Sequence, residues 1–451
     1  MKKMKIHFIA IGGAIMHSLA IELHKIGHIV SGSDDCIYNP AKTNLEKHNL
    51  LPQKEGWNPK AIDNEIDLII LGMHAKKDNP ELLKSKRIGL KVLSFPEFIY
   101  NYSKNKKRVV ISGSHGKTTI SSMIIHVLKH SKINCDFIVG AKIDLIENLV
   151  CLNDNKIIII EGDEYLTSPV DRKPKFLHYH PHILLISGIE WDHVNVFPSF
   201  NSYLGAFQKL TEQSKKRNAM IFYSKSDKNI FELLKGYKFC KSYEHKDYII
   251  KKNKFEIVLD DKNIALNVFG KHNLENIEAA RLVCSELGVD NNSFYKSIKS
   301  FKGARNRLKL LANYDNNSLV YRDFAHSPSK VLATINAVKD IYPKRYLISC
   351  MELHTSSSFD FDFLKQYSDT FKNTEELWIY VDPERNKKLG SKKITKKIIS
   401  SLINHTQLFF IDKKELLVEM INCFEKINKN LLLMSSGNFS NINLEIELEK
   451  N

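Results

Sequence analysis

The residues with the clearest chemical potential form one short stretch between an apolar strand, residues 109–112, and a predicted helix. In order they are Gly113, Ser114, His115, Gly116, Lys117, Thr118 and Thr119. Glycines let backbone N–H groups converge on phosphate oxygens, a lysine supplies a cation, and a threonine hydroxyl can ligate Mg²⁺. The strict pattern asks for a glycine where this chain has Ile111. The order strand, Gly-Lys-Thr-Thr, helix still predicts a loop that cradles phosphates.

A second glycine turn lies near the N-terminus, between a predicted strand and a predicted helix. Gly12 and Gly13 form the turn, but Ala10 and Ile15 replace the first and third glycines of a dinucleotide fingerprint. Asp34 lies 22 residues after Gly12, close to the position where an acidic side chain holds a ribose hydroxyl in such domains. The pattern predicts a nucleotide site and gives no indication of nicotinamide.

Acidic and imidazole side chains follow two further apolar strands, predicted at residues 157–160 and 183–187. These side chains are Glu161, Asp163, Glu164, Glu190, Asp192 and His193. Carboxylates and a neutral imidazole at the C-terminal edge of a sheet suit a divalent metal ion that serves nucleotide phosphates. Together with the lysine and threonine of the glycine loop, they predict a metal-assisted phosphate site.

The elements that must position these side chains alternate between strand and helix, which favours the α/β fold class. A polar, basic run at residues 103–108 ends the first βα unit, and a turn cluster at residues 314–318 precedes the third. We therefore predict three consecutive α/β domains, at residues 1–105, 106–310 and 311–451. The first and third are expected to be Rossmann-like, and the second to be a phosphate-loop ATPase domain.

Length and composition exclude several classes of protein. A chain of 451 residues exceeds what one core usually holds, and 43% hydrophobic with 26% charged residues is typical of folded globular proteins. No apolar run approaches the roughly 20 residues that cross a bilayer, and the seven cysteines include no Cys-x-x-Cys pair. The formal charge of +16 is spread along the chain. We expect a cytoplasmic protein with no membrane insertion and no nucleic-acid partner.

Seven short segments occur in an order that is typical of one enzyme family. They are residues 6–13, 113–119, 161–165, 192–193, 270–276, 305–308 and 323–328. Because these segments cover nearly the whole length, the chain resembles the Mur ligases. This family uses ATP to join amino acids or peptides to UDP-N-acetylmuramate in peptidoglycan synthesis.

The resemblance implies roles for individual residues, with ATP and Mg²⁺ as cofactors. UDP-sugar binding would involve Gly12, Gly13, Ser33, Asp34 and His74. ATP binding would involve Gly113, Ser114, His115, Gly116, Lys117, Thr118, Thr119, His272, Asn273, Arg307 and Asp323. Thr118, Glu161 and His193 would ligate the metal, and the catalytic residues would be Lys117, His193, Arg307 and His326.

The resemblance also implies a reaction in which the muramoyl carboxylate forms an acyl phosphate that an amine then attacks. Three regions favour the tripeptide L-Ala-γ-D-Glu-meso-diaminopimelate as acceptor, in peptidoglycan recycling; they are residues 72–75, 162–176 and 352–358. Members that add L-alanine typically have His-Arg-Tyr-Thr-Arg where this chain has residues 352–356. We expect His354 and Ser356 to contact the acceptor.

Four alternatives stay open at this point. The acceptor of a ligase of this family can also be L-alanine, in de novo peptidoglycan synthesis. A nicotinamide oxidoreductase would use the first turn but gives no reason for the Gly116, Lys117, Thr118 sequence. A generic phosphate-loop ATPase explains that sequence but not the first turn. A non-catalytic UDP-sugar and ATP-binding regulator would be expected to lack metal ligands, whereas Glu161 and His193 are present.

Overall fold

The computed structural model of the chain describes residues 3–140, 148–259, 262–304, 307–314, 317–355, 357–390, 393–423 and 427–449. The chain divides into two compact units. Unit 1 consists of Met1–Glu190, Phe200–Glu244 and Ile277–Ile298, and unit 2 consists of Trp191–Ser199, His245–Asn276 and Lys299–Asn451. The predicted α/β class is confirmed, while the three-domain boundaries stay a prediction.

The strands of the described ranges form four sheets, two in each unit. The strands of unit 1 are β1 Lys5–Ile9, β2 Ile29–Ser33, β3 Leu68–Leu71, β4 Val92–Ser94, β5 Lys107–Ser112, β6 Asp136–Ile138, β7 Val150–Cys151, β8 Ile157–Glu161, β9 Ile183–Ile186, β10 Met220–Ser224 and β11 Cys240–Tyr243. Those of unit 2 are β12 Tyr248–Lys251, β13 Lys254–Leu259, β14 Lys262–Ala265, β15 Lys309–Tyr314, β16 Ser318–Asp323, β17 Tyr346–Leu353, β18 Glu376–Val381, β19 Leu408–Ile411 and β20 Lys429–Met434.

Helices connect most of the parallel strands, as crossover connections require. They are α1 Ala14–Lys25, α2 Ala41–Lys47, α3 Pro80–Arg87, α4 Phe95–Tyr102, α5 Lys117–His130, α6 Phe200–Lys216, α7 Lys228–Leu234, α8 Lys271–Glu286, α9 Asn291–Ile298, α10 Pro328–Ile341, α11 Phe361–Leu364, α12 Pro383–Lys388, α13 Lys396–Leu402, α14 Lys414–Cys423 and α15 Leu444–Glu449. No helix in the described ranges has the length and apolar content needed to cross a membrane.

The two sheets of unit 1 bring the first glycine turn and the phosphate loop to strand ends. The smaller sheet has the order β2-β1-β3-β4 with all strands parallel. The larger has the order β11-β10-β9-β5-β8-β6-β7, and only β7 runs antiparallel to its neighbour. Since β5 lies between β9 and β8 and is parallel to both, the loops after these three strands leave the sheet side by side.

The sheets of unit 2 differ in type. One is a small antiparallel sheet, β12-β13-β14. The other has the order β15-β16-β20-β17-β18-β19, in which only β15 is antiparallel. The loops after β16, β20, β17 and β18 therefore leave one edge of this sheet; His326 lies in the loop after β16, and His354 lies in the loop after β17.

Continuous apolar runs explain the central strands of unit 1. Val109, Val110 and Ile111 of β5 are all 0% exposed, which is typical of a parallel strand that is covered on both faces. Strand β1 is shorter than its apolar run predicts, because Ala10 adopts φ +67° and ends it at Ile9. That reversal starts the first glycine turn directly above the sheet.

Candidate active site

The first glycine turn links β1 to α1 and packs against the end of β2. The Gly12 N–H donates to Asp34 Oδ2 at 2.7 Å, and a Cβ at Gly12 would lie 2.9 Å from that oxygen and 3.2 Å from Ile37. Asp34 is 6% exposed. Burial raises its pKa to about 6, although the Gly12 N–H acts in the opposite direction. The turn therefore has no room for a side chain at Gly12, and it holds a buried carboxyl group whose pKa is raised.

A buried acid, Glu81, ties three segments of the same sheet together. The Ser33 hydroxyl donates to its carboxylate, the Asn58 N–H donates to it at 2.6 Å, and His7 Nε2 lies 3.4 Å from it. Burial raises the pKa of Glu81, but these donors outweigh burial and hold it below its ordinary value. Ser33 therefore has an internal partner that the sequence did not reveal. His74, also predicted to bind the UDP-sugar, is exposed in the loop after β3.

Left-handed backbone shapes the second glycine loop, which links β5 to α5. Gly113 has φ +119° and Gly116, directly before α5, has φ +70°. Residues with a Cβ rarely adopt these conformations. A Cβ at Gly113 would also lie 2.7 Å from the backbone nitrogen of Ser187. The loop thus requires glycine both for its conformation and for its close approach to the segment after β9.

Lys117 begins α5 and is held by two acceptors. Its Nζ donates to the Gly113 carbonyl at 2.7 Å and to Glu164 Oε2 at 2.7 Å. Burial lowers the pKa of Lys117, but the carboxylates of Glu164 and Asp163 outweigh burial and raise it above its ordinary value. Lys117 is therefore a cation at physiological pH, paired with a buried carboxylate. Thr119, also predicted to bind ATP, is buried within the first turn of α5.

Thr118 and Glu161, two of the predicted metal ligands, contact each other. Thr118 Oγ1 donates to Glu161 Oε1 at 2.8 Å, and the Gly140 N–H donates to Glu161 Oε2 at 2.6 Å. Nearby, Asp163 pairs with Lys175 at 2.6 Å; burial raises the pKa of Asp163, but Lys175 outweighs burial and holds it below its ordinary value. Hydroxyl and carboxylate oxygens are the donors that Mg²⁺ prefers. The donor set therefore fits this ion.

The segment after β9 braces the phosphate loop. The Ser114 N–H donates to the Gly188 carbonyl at 2.9 Å, and the Glu190 N–H donates to Ser114 Oγ at 2.8 Å. His115 Nε2 lies 2.9 Å from the Glu190 carboxylate, and the Ser187 hydroxyl donates to the His115 carbonyl. The sequence analysis did not identify Ser187 and Gly188 as partners of the phosphate loop. Both residues follow β9, which pairs with β5, and this position is the signal that could have identified them.

In unit 2, the predicted adenine contacts His272 and Asn273 lie in the first turn of α8. The Asn273 N–H donates to the Gly270 carbonyl at 2.9 Å, and its side-chain amide donates to the Phe269 carbonyl at 2.9 Å. A Cβ at Gly270 would lie 2.8 Å from His272 Cε1. Asn273 therefore fixes the start of α8 beside the His272 ring.

Asp323, the predicted ribose contact, ends β16 and organises the loop that follows. Its carboxylate accepts hydrogen bonds from the N–H groups of Leu308 at 2.6 Å and Ala325 at 2.8 Å, and from the Thr334 hydroxyl at 3.1 Å. Asp323 is buried. Its observed partners are therefore internal, and they connect the end of β16 to α10 and to the segment before β15.

Arg307 and His326, both predicted to be catalytic, share Phe324 as a neighbour. The Arg307 guanidinium carbon lies 4.5 Å from the centre of the Phe324 ring, within the range of a cation–π contact. The His326 ring meets the same ring edge-on, and His326 Nδ1 lies 2.8 Å from the Phe324 carbonyl. Burial, aided by Lys330, lowers the pKa of His326 to about 3. His326 is therefore a neutral imidazole at physiological pH.

His193, predicted to be both metal ligand and catalytic residue, belongs to unit 2 and follows an ion-paired acid. Asp192 Oδ2 lies 3.3 Å from Lys330 Nζ; burial raises the pKa of Asp192, but Lys330 outweighs burial and holds it below its ordinary value. The His193 N–H donates to Asp192 Oδ1 at 2.7 Å, and His193 has φ +55°. Because Thr118 and Glu161 belong to unit 1, joint metal ligation by these three residues stays a prediction.

The predicted acceptor residue His354 follows β17 beside a buried acid. His354 Nδ1 lies 3.7 Å from Glu352 Oε1, and Arg385 Nη1 lies 3.4 Å from His354 Nε2. Burial raises the pKa of Glu352, but His354 and the Phe439 N–H, which donates at 2.9 Å, help to hold it below its ordinary value. Ser356, the other predicted acceptor residue, lies outside the described residues.

The chemistry of unit 1 follows from these contacts. The cation of Lys117, the hydroxyl of Thr118 and the carboxylates at residues 161–164 meet at a glycine loop that precedes a helix. Such a loop binds phosphate through N–H groups and the helix dipole, while the acids supply oxygens for a cation. The structure brings these predicted residues together. In unit 2, Arg307 and His326 form a second group, because both contact the ring of Phe324.

Two family models match the chain. Residues 5–107 match the model described as Mur ligase family, catalytic domain, and residues 111–284 match the Mur ligase middle domain. A UDP-N-acetylmuramate–L-alanine ligase from Caldicellulosiruptor saccharolyticus is 32% identical over 369 residues, which cover 78% of this chain and 78% of that protein.

Two solved structures show the same fold over nearly the whole chain. The UDP-N-acetylmuramate–alanine ligase from Thermotoga maritima has a TM-score of 0.73 at 18% identity, and a murein peptide ligase from Psychrobacter arcticus has 0.68 at 21%. Each comparison covers 99% of this chain and 98% of the other. The chain belongs to the Mur ligase family and is an ATP-dependent ligase of peptidoglycan synthesis that forms a C–N bond.

Proposed function

We propose that the chain joins L-Ala-γ-D-Glu-meso-diaminopimelate to UDP-N-acetylmuramate in peptidoglycan recycling. The muramoyl carboxylate attacks the γ-phosphorus of ATP, the bond to ADP breaks, and an acyl phosphate forms. The alanyl amine then attacks the acyl carbon, loses a proton, and expels phosphate. Because no bond to the protein forms, the residues act by binding, orienting and neutralising charge.

The phosphate loop is the proposed ATP site. The N–H groups of residues 113–119 would bind phosphate oxygens, and Lys117 would turn from Glu164 to the β- and γ-phosphates. Thr118, Glu161 and His193 are the proposed Mg²⁺ ligands, and the 2.8 Å contact between Thr118 and Glu161 supports the first two. When bound, Mg²⁺ neutralises the charge that gathers on the phosphates.

The first glycine turn is the proposed UDP-sugar site. The N–H groups of Gly12 and Gly13 would bind the diphosphate at the start of α1, and Asp34 would hold a ribose hydroxyl. Ser33 and His74 would complete the site from the ends of β2 and β3. The position of these residues at the C-terminal edge of one parallel sheet supports the assignment, since this edge is where such folds bind nucleotides.

The remaining proposed roles belong to residues of unit 2. His272 and Asn273 would contact the adenine, Asp323 the ribose, and Arg307 a phosphate. His326 would face the acceptor. Its low pKa supports a role as a neutral imidazole that binds or orients the acceptor.

The tripeptide assignment rests on one observation, the charge pattern around the end of β17. Glu352 within β17, His354 directly after it and Arg385 of α12 form an acid–imidazole–guanidinium group. Such a mixed group suits a ligand with both signs of charge. The tripeptide carries three carboxylates and a second ammonium group beyond its reacting amine, whereas L-alanine offers a single carboxylate. A long acceptor can also distribute its anchoring over several such contacts.

L-alanine is the second candidate acceptor. The name of the 32% identical relative, a UDP-N-acetylmuramate–L-alanine ligase, favours it. The non-catalytic binding alternative is wrong, because the chain belongs to a family of ATP-dependent ligases. The two acceptors therefore define the decisive experiment.

The experiment measures kcat/KM for the tripeptide and for L-alanine, with ATP, Mg²⁺ and UDP-N-acetylmuramate held at saturation. We expect the tripeptide value to be higher by at least about 100-fold, because differential transition-state contacts set acceptor choice. His354→Ala should raise the KM for the tripeptide and leave the KM for ATP unchanged. Efficient use of L-alanine with no tripeptide product would replace the proposal with the L-alanine reaction.

A further inference from the structure

The loop after β20, residues 435–440, is anchored beside the end of β17, and we call it the β20 loop. The Ser435 hydroxyl donates to the carboxylate of Glu352, and the Phe439 N–H donates to the same carboxylate at 2.9 Å. Glu352 is buried within β17. Because a buried carboxylate needs such donors, the two hydrogen bonds fix the β20 loop at two points next to the strand that His354 follows.

The backbone of the β20 loop is held at Gly437, between the two anchors. The Gly437 N–H donates to Ser435 Oγ at 2.7 Å, and its carbonyl accepts from Arg322 Nη2 at 3.2 Å. The next residues include Phe439 with φ +50° and Ser440 with φ +55°. Residues with a Cβ rarely adopt this conformation, and it persists where the surrounding contacts hold it. The backbone at Gly437 therefore has little freedom to move.

Gly437 packs directly against the ring of His354. A Cβ at Gly437 would lie 2.7 Å from both Cγ and Cε1 of that ring, whereas carbon atoms pack at about 3.5 Å or more. The Gly437 backbone is not left-handed, so this close approach, and not the conformation, requires glycine. Arg385 Nη1 lies 3.4 Å from His354 Nε2. A side chain at residue 437 would therefore turn the ring away from its place beside Arg385.

We propose that Gly437 is a positioning residue that sets the His354 ring for the acceptor. Glu352 holds the β20 loop, the loop brings Gly437 against the ring, and the ring stays beside Arg385. The His354 side chain is 35% exposed, so a ligand can reach the ring that Gly437 positions. The inference rests on the proposed contact between His354 and the acceptor.

The test measures the KM of each of the three substrates for Gly437→Ala in the full chain. The KM for the tripeptide should rise by about tenfold, the effect of losing one hydrogen bond to a charged group, and those for ATP and UDP-N-acetylmuramate should not change. Gly205→Ala is the matched control, because a Cβ at Gly205 on α6 would meet nothing within 4 Å. It should leave all three KM values unchanged. An unchanged KM for the tripeptide in folded Gly437→Ala would overturn the inference.

A double-mutant cycle with His354→Ala separates ring positioning from general damage to the β20 loop. Without the ring there is room for a Cβ at residue 437, so adding Gly437→Ala to His354→Ala should change the KM for the tripeptide by less than about twofold. The double variant should also melt at the temperature of His354→Ala, which keeps the test valid if Gly437→Ala alone does not fold. An equal loss in both backgrounds would contradict the positioning role.

NMR of the chain with ¹³C-labelled histidine supplies a readout that does not depend on activity. The Cε1 signal of His354 is the one that His354→Ala removes. It should shift in Gly437→Ala and stay in place in Gly205→Ala, and an unmoved signal in Gly437→Ala would refute the inference. If His354→Ala leaves the KM for the tripeptide unchanged, the proposed acceptor contact fails, and the position of this signal distinguishes that failure from a failure of Gly437 to set the ring.

Discussion

The two glycine turns of unit 1 occupy the same position between a strand and a helix, but their carboxylates have different partners. Each joins a buried parallel strand to a helix, and each has a carboxylate against it. In the first turn, the partners of Asp34 are backbone N–H groups, those of Gly12 and Asp35. In the second, the acids pair with the side chains of Lys117 and Thr118. The same order of strand, turn and helix thus carries a lysine ion pair only in the second turn.

This difference agrees with the two substrates that we propose for the turns. A turn that relies on N–H groups and one titratable acid suits a diphosphate that is bound but does not react, because little charge changes during the reaction. A turn with a lysine and a hydroxyl suits a phosphoryl group in transfer, where charge must be neutralised as bonds change. Substitutions in the first turn should therefore weaken binding of the UDP-sugar, and substitutions in the second should slow ATP-dependent ligation.

The largest effect is expected from Lys117→Ala. Removal of the cation leaves Glu164 buried without its lysine and deprives the phosphates of charge, so kcat/KM for ligation should fall by roughly 10³-fold. Affinity for UDP-N-acetylmuramate should not change. The matched control is Lys129→Ala, an exposed lysine near the end of the same helix. If the turnover of Lys117→Ala stayed within tenfold of the wild type, the assignment of charge neutralisation to the second turn would be wrong.

Thr118 should show the next largest effect, through Mg²⁺. Thr118→Ala removes a hydroxyl that lies 2.8 Å from Glu161, so the Mg²⁺ concentration for half-maximal ligation should rise on the order of tenfold or more. Thr118→Ser keeps the hydroxyl and should restore a nearly normal requirement. An identical Mg²⁺ titration for the alanine and serine variants would rule out a metal role for this hydroxyl.

The first turn can be probed with two adjacent glycines. A Cβ at Gly12 would lie 2.9 Å from Asp34 Oδ2, whereas one at Gly13 would lie 3.4 Å from Met16 Cγ, an ordinary contact. Gly12→Ala should raise the KM for UDP-N-acetylmuramate by about tenfold, since overpacking costs about 1–3 kcal/mol. Gly13→Ala should have a smaller effect, and neither should alter the KM for ATP. A raised KM for ATP in either variant would count against separate sites.

The smallest expected effect concerns the pH dependence of stability. The raised pKa of Asp34, about 6, means that the folded chain binds this proton more tightly than the unfolded chain. Its contribution is fully present below about pH 4 and is lost as the pH rises through 6. Relative to Asp34→Asn, the wild type should lose about 1 kcal/mol of unfolding free energy between pH 4 and 7, after allowance for solvent screening. Urea unfolding at both pH values measures the difference, and parallel pH profiles would refute the shift.

Much of the fold was predictable, because buried parallel strands and their helices leave strong local patterns. The apolar run at residues 68–71 and the helical spacing at residues 14–25 match β3 and α1. The antiparallel sheet β12-β13-β14 was not predicted. Its strands are only four to six residues long, and each begins or ends with a lysine, so their apolar runs are too short to stand out in the sequence.

The candidate site was predictable by residue type but not by pairing. Glycine, lysine and threonine in sequence indicate a phosphate loop, since that chemistry is local. Glu164 and Tyr203 are separated by 39 residues, and Ser114 and Tyr203 by 89. A buried tyrosine on a helix gives no local sign that its hydroxyl reaches a loop. It becomes visible only in the fold, where Phe207 of α6 packs against Phe176 and the Tyr203 hydroxyl lies beside Ser114.

The most direct test of the central claim uses UDP-N-acetylmuramate labelled with ¹⁸O in both carboxylate oxygens. The protein is incubated with this substrate, ATP, Mg²⁺ and equal amounts of the tripeptide and L-alanine, and the products are analysed by mass spectrometry. The account predicts one ¹⁸O in the released phosphate, one in the new amide, ADP as the nucleotide product, and tripeptide as the acceptor incorporated. Phosphate without label would contradict an acyl phosphate, and incorporation of L-alanine alone would contradict the proposed acceptor.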